Sequence, residues 1–318
     1  MMGKFTARSG SRTGWRVLAI ASAVALTLGS GPAPARAAEP VLRWKFTEGE
    51  TLHYQMVQKT VTQVKGPNRD IKTTVTQTID TTWSVLSVEK GSGTGSLTQT
   101  IDQVRTRIEN PFGNFEYDSK SDKAPEGPLA AAIVPTLKAL VGAKFRYKMS
   151  PQGELGDIQV PDGLLKALKE AGGDASNVGM FSEDGLKNMI HESSLVLPDD
   201  ARKDKPWTRQ TKIPSPPIGT MLLDKTYTYT GPEQDGDKIT LDVKVALEPD
   251  PKSNLDIKVV KQEGKGTFYF DSKAGRVSSS NVTEKIDMLI KVMNAEINQS
   301  TDMSTTMKLI DGAARPRS

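Results

Sequence analysis

The 318-residue sequence contains no cysteine and only two histidines, and it has no long apolar run beyond its first thirty residues. Without cysteine a disulfide scaffold is excluded, so the fold has to be held by buried apolar surface. Two histidines limit metal sites and histidine-based catalysis at once. With no cysteine after the N-terminal apolar run, anchoring at a lipobox is excluded as well. The arginines near the N-terminus are never adjacent, so a twin-arginine export signature is also missing.

What the N-terminus does carry is Lys4, Arg8, Arg12 and Arg16 without an acidic residue, followed by an apolar stretch from Val17 to Leu28. Twelve helical residues span about 18 Å, well short of the roughly 30 Å hydrocarbon core of a bilayer. The stretch therefore reads as the core of a secretory signal and not as a membrane span. Ala35-Arg36-Ala37 supplies the small-x-small pattern of a cleavage site, which predicts a signal over 1–37 and a mature region over 38–318. The expected location is periplasmic, cell-surface or extracellular, with no lipid anchor and no transmembrane span after cleavage.

Removing the signal changes the charge. It holds five of the 42 basic residues and none of the 38 acidic ones, so the mature chain has 37 basic against 38 acidic residues. The net positive charge of the whole sequence belongs to the export segment, which removes nucleic acid from the partner list.

Along the mature region two flanks alternate with period two, and the middle does not. Residues 41–46, 51–64, 71–89, 96–108 and 114–119 read as strands of one antiparallel meander, broken at Lys65-Gly66-Pro67-Asn68, Gly91–Gly95 and Asn110-Pro111. In the second long strand Ile71, Val75, Ile79, Trp83 and Val85 share one parity, and Leu86 and Val88 slip to the other, which predicts a bulge. The middle predicts a helix over 129–141 that Pro135 should kink or end within its first turn. A strand pair, 144–149 and 154–160, turns at Ser150-Pro151-Gln152-Gly153. A second helix opens at Asp162 and stops at Gly172-Gly173, and a third is capped by Ser182 and ends near Ser193. After a charged link over 197–207, strands return at 221–230, 238–247, 255–263 and 266–271. Residues 282–297 suit a helix or a strand; the hairpin that feeds them favours a strand paired with 301–310. The expected fold class is mainly β (α+β), with two meanders forming curved sheets over 41–120 and 207–310, joined by a segment with about three helices over 121–206. Asn114–Lys120 and Thr267–Lys273 echo one another, which suits two related flanks.

The motifs that resemble chemistry are incomplete. His191-Glu192 begins a zinc-protease pattern, yet Leu195 stands where the second histidine belongs, leaving a helix-terminal histidine beside the helix dipole. His53 lies mid-strand beside Tyr54 and reads as a half-exposed sheet residue. The glycines of 91–95 precede a strand where a phosphate loop needs a helix, and Ser87–Lys90 lacks the helical turn of a serine–lysine pair. Asp235-Gly236-Asp237 and Asp199-Asp200 lack a calcium-loop pattern and read as solvated turns. Asn281 and Asn298 open glycosylation sequons that matter only on a eukaryotic secretory route, and the signal looks bacterial. No residue is assigned a catalytic, cofactor-binding or metal role. Trp44, Trp83, Trp207, Tyr227, Tyr229, Phe268 and Phe270 all fall on strand patterns, as core packing or as the lining of an apolar groove between sheet and helices.

Three stretches carry a resemblance: Leu42-Arg43-Trp44-Lys45-Phe46-Thr47-Glu48-Gly49-Glu50-Thr51-Leu52-His53-Tyr54, Lys148-Met149-Ser150-Pro151-Gln152-Gly153-Glu154-Leu155, and Phe270-Asp271-Ser272-Lys273-Ala274-Gly275-Arg276-Val277. In them the chain resembles a family of exported bacterial proteins of unknown function, common in planctomycete-type genomes. The resemblance implies an envelope location and long antiparallel strands, and it implies no activity. The expected function is a non-enzymatic envelope protein binding an apolar ligand or a protein partner. The alternatives are a structural or interaction module without a pocket, and a hydrolase whose site is assembled from distant residues.

Overall fold

The period-two alternation of both flanks is realised in a single antiparallel sheet. The computed structural model describes residues 41–312 apart from 68, 124, 173–181, 216–217, 252, 254 and 293–294; the expected signal and cleavage site fall outside the described residues, as does Gly173. Residues Glu39–Ser318 form one compact unit. The first meander is β1 (Thr51–Gly66), β2 (Arg69–Val88), β3 (Gly95–Asn110) and β4 (Gly113–Asp118), extended by β5 (Lys144–Met149) and β6 (Leu155–Gln159). The second is β7 (Pro206–Ser215), β8 (Gly219–Glu233), β9 (Gly236–Pro249), β10 (Leu255–Asp271), β11 (Arg276–Val292) and β12 (Ala295–Gly312). Their order is β6-β5-β3-β2-β1-β12-β11-β10-β9-β8-β7, with β4 also on β3. The meanders are thus two wings of one sheet, joined where the first strand pairs with the last.

Side-chain parity sorts the sheet into two faces. Leu52, Tyr54 and Trp83 define the inner, buried one. Register carries that face across the sheet: Ile108, Val75, Thr60, Met303, Glu284, Gly264, Val243, Lys225 and Arg209 form one continuous row. On the outer face the corresponding positions are hydroxyl or charged residues, such as Lys72, Thr74, Thr76, Thr78, Asp80 and Thr82 of β2. The parity slip in β2 is a bulge at Leu86, which no residue of β3 opposes and which is exposed.

β10 approaches β9 closely. Two glycines, Gly264 and Gly266, occupy successive inner-face positions there, and a Cβ on Gly264 would lie 2.7 Å from the Cβ of Val243. Cross-strand Cβ atoms normally stand about 4.5–5.5 Å apart, so side chains at these positions would hold the wings open.

Helices α1 (Pro128–Leu140), α2 (Asp162–Gly172) and α3 (Glu183–Glu192) add their apolar stripes to the same core: Ala130, Val134, Leu137 and Leu140; Leu164 and Leu168; Leu186 and Ile190. The Ser182 hydroxyl accepts the Gly185 N–H at 3.1 Å and caps α3. Of the two outcomes expected at Pro135, a kink or an end, the end does not occur: α1 runs on to Leu140. Packing of its buried stripe outweighs the one backbone hydrogen bond that proline removes.

Four further differences from the sequence reading have physical causes. β7 starts at Pro206 within the supposed charged link; as an edge strand it needs only one partner, so prolines are tolerated in it. β10 is continuous across the glycines that looked like a break. The ambiguous 282–297 segment is strand, but it holds a hairpin, with β11 ending at Val292 and β12 starting at Ala295. Residues 41–46, read as a strand, join no ladder. They thread between two turns instead, with the Trp44 N–H donating to the Pro151 carbonyl at 2.7 Å and the Lys45 N–H to the Gly275 carbonyl at 3.0 Å.

The edge strands β6 and β7 do not pair with each other. The gap between them is bridged by α3, which packs on both, and by the residues after it. There the Leu197 N–H donates to the Gln152 carbonyl at 2.7 Å and the Ser194 hydroxyl to the Gly153 carbonyl at 2.7 Å. Arg209 of β7 pairs with Glu154, next to β6, through its Nη1 and through an Nη2 bond of 3.2 Å. This end of the sheet is closed.

Candidate functional site

The closed end is dry and aromatic. Trp44 stacks on Trp83 at 6.4 Å and meets Phe270 edge-on at 5.6 Å, while Tyr54 and Tyr147 pack against Trp83 at 5.0 and 6.3 Å. Toward the opposite end of the long strands the inner face loses its cover, and its apolar positions are interspersed with Thr60, Thr62, Thr73, Gln299 and Thr301. Val64, Ile71, Val75, Val259, Met288, Ile290 and Ile297 point to this face and are only half-buried. They line a trough along β2, β1, β12, β11 and β10.

Between the dry end and the uncovered apolar end lies a polar belt. Lys225 of β8 stands on the apolar parity of its strand, between Leu223 and Tyr227, and its ammonium donates to Glu192 at the end of α3. The Thr211 hydroxyl donates to the other Glu192 oxygen at 2.9 Å, and the His191 ring lies 3.9 Å from it. Burial pushes the Glu192 carboxyl up, but the neighbouring His191 ring, the Lys225 charge and the hydrogen bonds from Lys225 and Thr211 outweigh it and hold the group at about 2. The same arrangement bears on Tyr227, whose hydroxyl is raised well above its ordinary value by burial and by Glu192, with Arg209 acting the other way. Across the trough, on β11, burial raises the Glu284 carboxyl above its ordinary value, and the Lys225 charge counters in part.

Glu192 ties α3 to the sheet in a pH-dependent way. Its carboxyl is depressed in the folded chain, so its contribution is present above the unfolded value of about 4.5 and is lost as pH falls toward 2. Across that window the Glu192 contribution falls by up to about 3 kcal/mol. Glu192→Gln is expected to flatten this part of a urea-denaturation profile measured between pH 6 and pH 3; a variant that keeps the wild-type slope would place the acid sensitivity elsewhere.

The residues singled out from sequence are scattered over the fold. His191 sits in the last turn of α3 against Glu192, and the carbonyl of Leu195, in place of a second histidine, accepts the Trp44 indole N–H at 2.9 Å. His53 is on the outer face, exposed, with Nδ1 2.9 Å from the Thr82 hydroxyl, which itself donates to Asp102 at 2.6 Å. With the Thr82 hydroxyl donating to Asp102, the His53 ring nitrogen donates to the hydroxyl oxygen. Ser87 lies on a strand, and residues 89–94 form a hairpin turn closed by Glu89 and Thr94. Of the two acidic pairs, Asp199-Asp200 is solvated and paired with Arg43, Arg202 and Lys205. Asp237 is a correction: it is 5 % exposed, because β9 begins under Phe270, and it accepts the Tyr229 hydroxyl at 2.7 Å. Among the described residues no group of three or more histidine or acidic side chains could hold a metal ion. No helix among them is long and apolar enough to cross a membrane. A trough of about 350 Å³ opens mainly on the outer face, lined by Lys59, Glu263, Lys285 and Asp302 and reached by Glu284 and Met303; Lys285 pairs with Asp302 at 3.4 Å and Lys265 with Glu263 at 2.9 Å.

The polar belt was missed in the sequence because each charge lies alone in its strand. A signal was present: Lys225 and Glu284 break the apolar parity of Met221, Leu223, Tyr227 and of Val282, Ile286, Met288.

The three stretches that carry the family resemblance meet at the closed end. Gly153 has φ +89 and Gly275 φ +67, where side chains are disfavoured. A Cβ on Gly153 would lie 2.3 Å from the Leu195 carbonyl oxygen, and one on Gly275 would lie 2.6 Å from the Lys45 nitrogen. The echo between Asp118-Ser119-Lys120 and Asp271-Ser272-Lys273 has a local cause, since each aspartate accepts the N–H two residues on at 2.9 Å. These residues shape turns and close the sheet.

No curated protein matches the sequence. Among solved structures the chain is similar to lipovitellin, in work on lipid–protein interactions, at 12% identity and a TM-score of 0.48, covering 86% of this chain and 26% of that one. It is also similar to DynF from the dynemicin biosynthesis pathway of Micromonospora chersina, at 8% identity and a TM-score of 0.22, covering 88% of each chain. The chain therefore spans about a quarter of the lipovitellin length, and at these scores neither likeness bears on function. Residues 92–277, more than half of the sequence and including two of the three converging stretches, match a family model, and the protein belongs to that family of unknown function, DUF6263.

Proposed function

We propose that the protein is an exported, non-enzymatic binding protein of the bacterial envelope that holds an apolar ligand against the inner face of its sheet. One observation carries this reading: the apolar inner face continues beyond the packed core, as the half-buried side chains from Val64 to Ile297. A face of alternating apolar residues left half in water costs stability unless something covers it for part of its working life. Ten residues of β1 extend past Met56, and at about 3.3 Å each they give a trough roughly 30 Å long. One acyl chain reaches about half the 30 Å thickness of a bilayer core, so a single chain fits with room to spare. The dispersed histidines and matched outer-face charges favour binding over catalysis.

Two measurements test the reading. Organic extraction of the purified mature protein followed by mass spectrometry is expected to release lipid, and a polarity-sensitive naphthylamine dye is expected to brighten on adding the delipidated protein. Val75→Asp, which puts a charge into the trough wall, should weaken dye binding roughly tenfold or more. No extractable lipid together with no dye response would overturn the proposal.

A further inference from the structure

The trough is asymmetric in charge. Both described cations on the inner face of the strands already have partners, Lys225 with Glu192 and Arg209 with Glu154. Glu284 has no such partner: it makes no hydrogen bond or ion pair among the described residues, and the only charge acting on it is the engaged Lys225. Its neighbours along β11 on the same face are Val282 and Ile286, and opposite it stand Met303 of β12 and Gly264 of β10. Gly264 contributes no side chain, so the wall beside the carboxyl group is bare backbone, and its space is already taken by Val243. Glu284 therefore sits, without a hydrogen-bonding partner among the described residues, beside the apolar Val282, Ile286 and Met303, with Thr301, Thr305 and Gln262 the nearest other polar positions of this face.

We propose that Glu284 is the counter-ion for the cationic headgroup of a single-chain amphiphile whose tail runs from Met303 past Met288 and Val64 toward the uncovered end. This rests on the trough reading above and adds the sign of the ligand charge. An ammonium group would give the desolvated carboxylate the charge-assisted partner it lacks. A carboxylate or phosphate headgroup would meet it as a like charge, with both nearby cations already engaged.

The test compares three twelve-carbon probes, dodecylamine, dodecanol and dodecanoate, each displacing the naphthylamine dye from the mature protein at pH 7. Dodecylammonium is expected to displace the dye at a concentration at least tenfold lower than dodecanol, with dodecanoate weaker than both. In Glu284→Gln, checked for an unchanged melting temperature, dodecylammonium should fall to the level that dodecanol shows on the same variant. Equal displacement by all three in the wild type, strongest displacement by dodecanoate, or an ammonium preference that survives in the variant would each overturn the inference. Failure of every probe, dodecanol included, would remove the trough reading itself. Displacement by dodecanol without any preference for the amine would remove only the assignment of Glu284. A dimer in sedimentation that dissociates on adding dodecanol would mean that a second copy covers the face, and would overturn the inference too.

Discussion

Trp44→Ala is expected to lower the stability of the folded chain by about 3–5 kcal/mol, the range for deleting a fully packed aromatic side chain. Trp44 is 4 % exposed, and it is where the segment before β1, the turn before β6 and the segment after α3 come together. Its ring fills the space between Trp83 and Phe270, so truncation leaves a cavity lined by side chains from opposite wings of the sheet. Collapse around such a cavity is hindered, because the backbone on both sides is held by the Pro151 and Gly275 carbonyls. For a chain of this size the midpoint of thermal unfolding should fall by about 10 °C, read by near-ultraviolet circular dichroism. Trp207→Ala is the internal control: its indole N–H makes the equivalent bond to the Val196 carbonyl at 3.0 Å, but its ring is only partly buried, and its loss should be the smaller of the two. Equal effects, or a Trp44→Ala change below 1 kcal/mol, would mean that the 41–46 segment does not secure the closed end.

Arg276→Ala should be comparably damaging, by about 3–5 kcal/mol, for an electrostatic reason. The Arg276 guanidinium donates to Glu50 Oε1 at 2.7 Å, and the two side chains are 12 % and 16 % exposed. The second Glu50 oxygen is buried with no partner, so removing the arginine leaves the carboxylate without its charge partner in a dry site. Removing both charges is different, since a well-packed apolar pair no longer has any charge to desolvate. The double variant Glu50→Met with Arg276→Met is therefore expected to recover most of the loss in urea denaturation. If the double variant is no more stable than Arg276→Ala, the damage comes from lost packing around the Ala274 turn and not from a stranded charge.

Period two alone placed the long strands, because each has one dry and one wet face, and a twofold repeat of apolar residues survives any context. The bulge at Leu86 was visible for the same reason, as a break in that repeat. β7 was not visible: Pro206 and Pro214 argue against a strand unless one knows that it lies at an edge, and edge position is a property of the assembled sheet. Likewise, the turn between β11 and β12 is hidden in a run that satisfies two periodicities at once, and it emerges only when β12 claims β1 as its second neighbour. Asp237 looked like a solvated turn residue because its neighbours Asp235 and Gly236 are turn formers; its burial comes from Phe270, distant in sequence. The meeting of Trp44, Gly153 and Gly275 was equally out of reach, although all three lie in the stretches that carry the family resemblance. The candidate site divides in the same way: period two put Ile71 and Val75 on the face of Trp83, but Trp44, Trp83, Tyr227, Tyr229 and Phe270, read as core or as the lining of a groove between sheet and helices, are packed in the core, and the charge at Glu284 was not legible.

By itself, then, the sequence determined which residues alternate, that no disulfide holds the chain, and that residues 38–318 are nearly neutral, since these depend only on residue identity and spacing. The tertiary structure decided that two meanders share one sheet, which cations are already paired, and that part of the apolar face is left uncovered. Those outcomes depend on contacts between residues more than a hundred positions apart, such as Tyr54 with Val277 and Glu50 with Arg276. Burial of such pairs is settled only when the whole chain has closed, because whether a side chain is dry or wet is a property of its neighbours and not of its own pattern.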